Sequence, residues 1–391
     1  MTYRRLSQPF VFCLALLLTL PAACLGGFGG LGDFEPIDED FERPSPILNA
    51  EGALRRQCQP DKLDGPSQVF EHALCLCGDL DDVGSGVVTR SSSHLAGNDP
   101  GLGHVGVNGR VDLVGNFAVD GSFNAAGGID GVGDLDVGRE LITGNDVDVV
   151  GNWTVGQDAW IDGDLDVVGD MDINGDLFLS GSLSAVGDVN FVDGRRGFDY
   201  RGAPCPCGRN QIIDVAAEVA KRRDLNNNDR LGSGDELILD DGEYYFARPQ
   251  DVLGKREIRV VGRASIFVEG DIETVGEMNL VVEEGAEAEL WVSGTIKTVG
   301  NLELGAPSKS RARAFKLFMG GRGEALVNVG NAQFVGGIYA PEADIDFVGD
   351  LEVRGSLFAN NLKGTGSLDI EYDSDLSAPP ECVEEFFQTT D

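Results

Sequence analysis

Ninety consecutive residues, Val105 to Gly194, divide into fifteen hexads without an insertion, among them VDLVGN, FAVDGS, VDVVGN, LDVVGD and MDINGD. Position 1 is apolar in every hexad. Position 3 is mostly apolar (Val107, Leu113, Val119, Val137, Val149, Val155, Val167, Ile173, Leu179), and position 5 is mostly glycine. Apolar residues two apart mark a short strand that buries alternate side chains. Glycine after such a strand admits a corner with positive φ. A strand and a corner every six residues form one side of a β-solenoid. Three sides close an 18-residue coil, so the region makes five coils. A flexible glycine-rich linker would not keep an apolar register over 90 residues.

The 18-residue period makes specific expectations. Val111, Ile129, Val147, Leu165 and Leu183 stack in one inward column, and Phe117, Leu135, Trp153, Met171 and Val189 in another. The outward position 2 sorts by side into an acidic ladder (Asp112, Asp130, Asp148, Asp166) and an apolar strip (Ile142, Trp160, Phe178). Neighbouring aspartates about 5 Å apart repel by roughly 0.8 kcal/mol in water. Either solvent screens them as a plain negative face or a divalent cation such as Ca2+ bridges them. The strip calls for a cover, from the segment Ser67–Leu74 read as a helix or from a partner.

The first 24 residues read as an export signal: a basic Tyr3-Arg4-Arg5, the apolar run FVFCLALLLTL and small residues before Cys24. Leu20, Ala22, Ala23 and Cys24 resemble a bacterial lipobox, with Pro21 off the pattern, and Cys24 is the expected lipid attachment that would bring the chain to a membrane. Plain secretion is the alternative. Residues 25–57 are rich in glycine, acid and proline and read as a tether. Beyond Cys13 and Cys24, six cysteines remain: Cys58, Cys75, Cys77, Cys205, Cys207 and Cys382. Export implies disulfides, in fifteen conceivable pairings. The motifs ALCLCGDL and APCPCGRN could instead form a four-sulfur zinc site, though their spacing is tighter than usual.

The remaining divisions are a cysteine-containing cap (58–104), the hexad solenoid (105–194), a connector (195–254), a second solenoid (255–376) and a tail (377–391). Within the connector, apolar spacing predicts a helix over Gln211–Arg223. Asp224, Asn226, Asn228 and Asp235 then occupy positions 1, 3, 5 and 12 of a calcium-loop pattern, but Asp229 stands where that loop has glycine. Asn and Asp also favour turns and caps. No cofactor is required by any motif. After Glu257 short apolar phrases recur at uneven spacing, Ile266-Phe267-Val268, Leu290-Trp291-Val292, Leu317-Phe318-Met319, Ile338-Tyr339-Ala340 and Leu357-Phe358-Ala359, which reads as a second, less regular β-helix. The fold class is therefore all-β: a parallel, three-sided β-solenoid, right-handed as parallel crossovers are, then a second β-helix, with one or two short helices.

The hexad phrases LDVVGD and MDINGD resemble bactofilins, polymer-forming bacterial β-helix proteins. The phrases GEYYF, GRASIFVEGDI, AELWVSG, IYAPEADI, GSLFA and IEYDSDL, over roughly Cys205 to Leu376, resemble an uncharacterised β-helical domain of bacterial envelope lipoproteins, myxobacterial in type, and of pilus-assembly-like proteins. Copies in that family end in a His-Tyr-Asp phrase, where this chain has Glu371. The resemblance implies a fold and an envelope address, and no activity.

Acids outnumber bases by 66 to 30, a net charge of −36. Such a surface repels phosphate backbones, which argues against nucleic acid as a partner. Histidine occurs only at His72, His94 and His104. The expected function is non-enzymatic: a rigid acidic scaffold or adhesin-like binding module at the cell surface or outer membrane, with an envelope protein or glycan as partner. One alternative is a polysaccharide-active β-helix enzyme, with Asp344, Asp346 and Asp350 as candidate carboxylates. The other is a bactofilin-like filament, against which the cysteine clusters and helical segment would act as caps on the hexad coils.

Overall fold

The computed structural model describes residues 35–36, 70–90, 103–224, 226–231, 236–247, 257–307 and 312–376. Cys24, Cys58, Cys382 and Asp235 lie outside the described residues, as do the export signal, nearly all of the tether and the tail. The described chain is a parallel β-solenoid of about 12 turns.

Both expected inward columns form in register. Val111 pairs with Ile129, then Val147, Leu165 and Leu183. Phe117 pairs with Leu135, then Trp153, Met171 and Val189. Each coil has three strands, for example Val147–Val150, Trp153–Val155 and Ala159–Ile161, with both end residues of each three-residue strand buried. A buried aliphatic contributes about 1.5–3 kcal/mol, so a repeat that buries six side chains per coil sustains the stack.

The two sequence-defined solenoids are one. Leu74–Leu76 pairs in parallel with Val105–Val107 on one side and with Leu357–Ala359, near the end of the chain, on the other. Leu80–Arg90 likewise lies between Val111–Val119 and Leu362–Tyr372. The segment read as a cap is thus a complete coil in the middle of the stack, joining the last coil of the second half to the first hexad coil. The second half shares the three-sided core. Ile272, Ile296, Leu326, Ile345, Leu362 and Leu80 continue the Val111 column. Its coil length varies from 17 residues (Val353 to Ile370) to 30 (Leu304 to Phe334), because extra residues loop out at corners.

The expected helix at Ser67–Leu74 is not formed among the described residues: Glu71–Ala73 are bends and Leu74–Leu76 is a strand. Stacking between two coils overrides the local apolar spacing. The second helix is shorter than expected, Val215–Lys221, with Asp214 capping its N-terminus by accepting from the Ala217 N–H.

Glycine serves the corners in two ways. At one corner it takes positive φ in every coil, as at Gly133 (135°), Gly151 (150°) and Gly169 (134°). At the other two corners of the hexad coils φ is not in that region, contrary to the expected use. There a Cβ would strike the coil before it: at Gly156 it would lie 2.2 Å from the Gly138 carbonyl oxygen. Aspartate completes the corners. The Asp146 carboxylate accepts from the Asp164 N–H one coil on at 2.8 Å, Asp158 from Asp176 at 2.8 Å, and Asp164 from Ser182 at 2.7 Å. These side chains take corner amides that point out of the ladder, so part of the acidic excess is structural.

Candidate functional site

Two of the three outward faces stand out, and the chain treats them differently. On one side of each coil the middle residue of the strand points out. Register places Tyr245, Phe267, Trp291, Phe318, Tyr339, Phe358, Cys75, Gly106, Asn124, Ile142, Trp160, Phe178 and Arg195 in a single column. The recurring aromatic phrases of the second half and the strip of the hexads are the same feature. Trp160 stacks on Phe178 at 3.5 Å between centroids, and Trp291 on Phe318 at 3.9 Å.

This column is sealed by the connector, which returns along it against the direction of stacking. Phe198 sits edge-on to Trp160, and the Tyr200 hydroxyl donates to Asn124 Oδ1 at 2.9 Å. Cys205 and Cys207 bond to Cys75 and Cys77, the only disulfides among the described residues. Both sulfur pairs are thereby consumed, which replaces the zinc alternative. Further on, the Ile213 N–H donates to the Tyr339 hydroxyl at 2.7 Å, and the Arg222 guanidinium lies 5.3 Å from the Phe267 ring. Trp160 is consequently only 4% exposed. Its cover is this strap rather than residues 67–74, and the disulfides staple the middle of the stack rather than cap an end.

The second face stays open. The expected ladder forms: Asp112, Asp130, Asp148 and Asp166 are in register, extended by Asp81. Two residues further along each strand stands an outward valine. Val275, Val299, Val329, Val348, Thr365, Val83, Val114, Val132, Val150, Val168 and Val186 form one continuous column. Its valines are 44–87% exposed. Over the hexads a shallow groove runs between the two columns, lined by Asp112, Asp130, Asp148, Asp166 and their valines. Arg110 pairs with both Asp112 and Asp130, and Lys363 with Asp81 at 3.7 Å. The Asp148 carboxyl is pushed up by partial desolvation and then by Asp166 and Asp146. The valine column was missed in the sequence, although the recurring Val-Gly dipeptide announces it.

The remaining candidates are dispersed. Asp344 accepts from Asn360 and Asn361, both at 2.7 Å, and Asp350 from the Ser367 hydroxyl. Asp346 points outward with its carboxyl raised by desolvation and by Glu324 and Asp344. Of the calcium-loop positions, Asp224 is exposed, Asn226 bonds the Arg223 carbonyl and the Asn228 N–H, and Asn228 bonds both backbone groups of Tyr245. No group of three or more metal-ligating His, Cys, Asp or Glu side chains converges among the described residues.

Buried titratable groups cluster at the joining coil instead. His72 is held down at about 3 by burial and by His104, and His104 at about 4 by burial and by Arg139. Asp82, inward-facing and 3% exposed, is pushed up to about 6 by burial and by Asp81.

Residues 209–378 match the family profile of a domain of unknown function (DUF7305). That span covers the strap helix and the second half of the stack. No curated protein and no solved structure matches the chain.

Proposed function

We propose that this is an exported cell-envelope protein that works without catalysis, as a rigid acidic scaffold that presents one face to an extended partner. The observation that carries this reading is the exposed valine column beside the aspartate ladder. The core is already complete through the inward columns, so ten outward valines in register are not needed to fill it. An aligned apolar stripe of this length marks a contact surface. Repeat solenoids present such faces to extended ligands. A fitting partner is a glycan or envelope protein with apolar surface flanked by cationic or hydroxyl groups. Disulfides suit an oxidising compartment, and lipid on Cys24 would tether the stack to a membrane.

The test is a glycan and whole-cell binding array with the mature chain and a Val132→Lys/Val150→Lys variant. Binding that falls at least tenfold in a folded variant supports the reading. Binding unaffected by the variant, or turnover of a bound glycan, would overturn it. Membrane fractionation of a Cys24→Ala chain tests the anchor.

A further inference from the structure

A parallel stack exposes a strand edge at each end, and each edge needs a cap. At the proximal end the cap is built from the asparagines 226–228. Asn227 exchanges bonds with Glu243, its N–H donating to the Glu243 carbonyl and its Oδ1 accepting the Glu243 N–H at 2.9 Å. Asn228 Oδ1 accepts the Tyr245 N–H at 2.9 Å while its Nδ2 donates to the Tyr245 carbonyl. Two side-chain amides thus imitate a further strand, which is the structural use of the NNN run.

At the distal end the last coil comprises Leu183–Val186, Val189–Asn190 and Gly194–Arg196. Leu183, Val189 and Phe191 there are only half-buried, although their counterparts one coil back are fully buried. Val186 and Val192 are 72% and 74% exposed. One contact lies beyond this coil: Glu35–Pro36 pairs in parallel with Arg195–Arg196, in the same sense as every coil of the stack.

We infer that Glu35–Pro36 is the distal cap, an intramolecular strand that closes the stack and prevents its extension by a second copy. Three observations support this occupant. The pairing continues the stack by one layer. Register sets the acidic Glu35 opposite the cationic Arg195 and Pro36 opposite Arg196, on a chain that otherwise carries excess acid. Proline also lacks an N–H, so Pro36 cannot donate to a further strand, the usual device on protected edges. The 33 residues between Pro36 and Phe70 are ample for the seven coil steps from the Glu35 layer to the Cys75 layer, about 34 Å at ~4.8 Å per step.

A paired-cysteine test uses the mature full-length chain carrying Glu35→Cys and Arg195→Cys, oxidised at low micromolar concentration and mapped by peptide mass. An intramolecular 35–195 bond in most molecules, with none in a Glu35→Cys/Asp188→Cys control, is the expected result. A bond found mainly between chains would assign the edge to a second copy, and no bond at all would dismiss the contact; either overturns the inference. Deleting residues 33–42 should convert a monomer into end-to-end oligomers seen by sedimentation and electron microscopy. A deletion variant that stays monomeric up to 100-fold higher concentration would refute the protective role.

Discussion

The two parallel disulfides make a prediction that depends on topology rather than on chemistry at the sulfurs. Cys75–Cys205 and Cys77–Cys207 each join residues 130 apart. In the chain-entropy account, closing a loop of that length removes ~17 cal/mol/K from the unfolded chain, or ~5 kcal/mol at 25 °C. Once one bond is in place, the second closes a ring of only about six residues, which corresponds to ~2 kcal/mol by the same relation. Removing either pair alone, as Cys75→Ala/Cys205→Ala or Cys77→Ser/Cys207→Ser, should therefore cost ~2 kcal/mol. Removing both should cost ~7 kcal/mol, a non-additive excess of ~3 kcal/mol. Urea unfolding followed by the fluorescence of Trp153, Trp160 and Trp291 reads all three variants. Single losses that add up to the double loss would refute the reasoning, because they would mean that each bond acts through its local contacts and not through the shared loop.

Gly276 and Gly300 are successive rungs of the positive-φ corner, at 116° and 133°, but a Cβ on Gly276 would meet nothing within 4 Å while one on Gly300 would lie 2.0 Å from the Gly276 carbonyl oxygen. Gly276→Ala should therefore cost the backbone strain alone, ~1 kcal/mol, and Gly300→Ala at least ~3 kcal/mol; equal melting points for the two would contradict the stacking argument. In acid, His72 and His104 bind fewer protons folded than unfolded, so the stability they confer is complete above 6.5 and is lost as pH falls toward about 4 and 3. His72→Gln should flatten the acid limb of a stability–pH profile. Asp82 acts in the opposite sense: with its carboxyl at about 6, its contribution is full below 3.8 and is lost as pH rises through 6. Asp82→Asn should therefore stabilise the chain at pH 8 by roughly 1–2 kcal/mol and leave it unchanged at pH 4, measured by denaturant titration at both values.

The hexad half was legible because its period never slips. Once Val111 is assigned inward, Leu183 follows four coils later. The second half keeps the same three sides but inserts up to a dozen residues at corners, so its phase is lost to any fixed-period reading. Its phrases around Phe267, Trp291 and Phe318 were visible, but their outward middle residues were not, since nothing local distinguishes an outward aromatic under a strap from an inward one. The pairing of Leu80–Arg90 with Leu362–Tyr372 joins segments some 280 residues apart, and no sequence-local signal encodes it. The shared Val-Gly step at Val83-Gly84 and Val348-Gly349 was the available hint. Asn228 was ambiguous for a chemical reason: an amide that can ligate calcium can equally clamp a strand edge.

The strap explains why the halves occur in this chain order. A chain that builds coils from residue 74 to residue 196 ends at the distal face, while the open edge of its first coil lies at the other. Returning along the apolar column lets the chain restart beyond that edge and stack toward it, so that Leu362–Tyr372 closes on Leu80–Arg90 and no edge is left inside. The geometry limits how far this can go. From Trp160, which Phe198 covers, to Phe267, which Arg222 covers, is nine coil steps, ~43 Å. Residues 198–214, if extended, and the seven-residue helix that follows reach ~63 Å. The difference is taken up by the turn at Asn210–Gln211 and by the detours to the two cysteine pairs. Each coil added to the second half consumes a further ~4.8 Å of that slack, so coil number and connector length must change together, about four extra coils being the most the present strap could span.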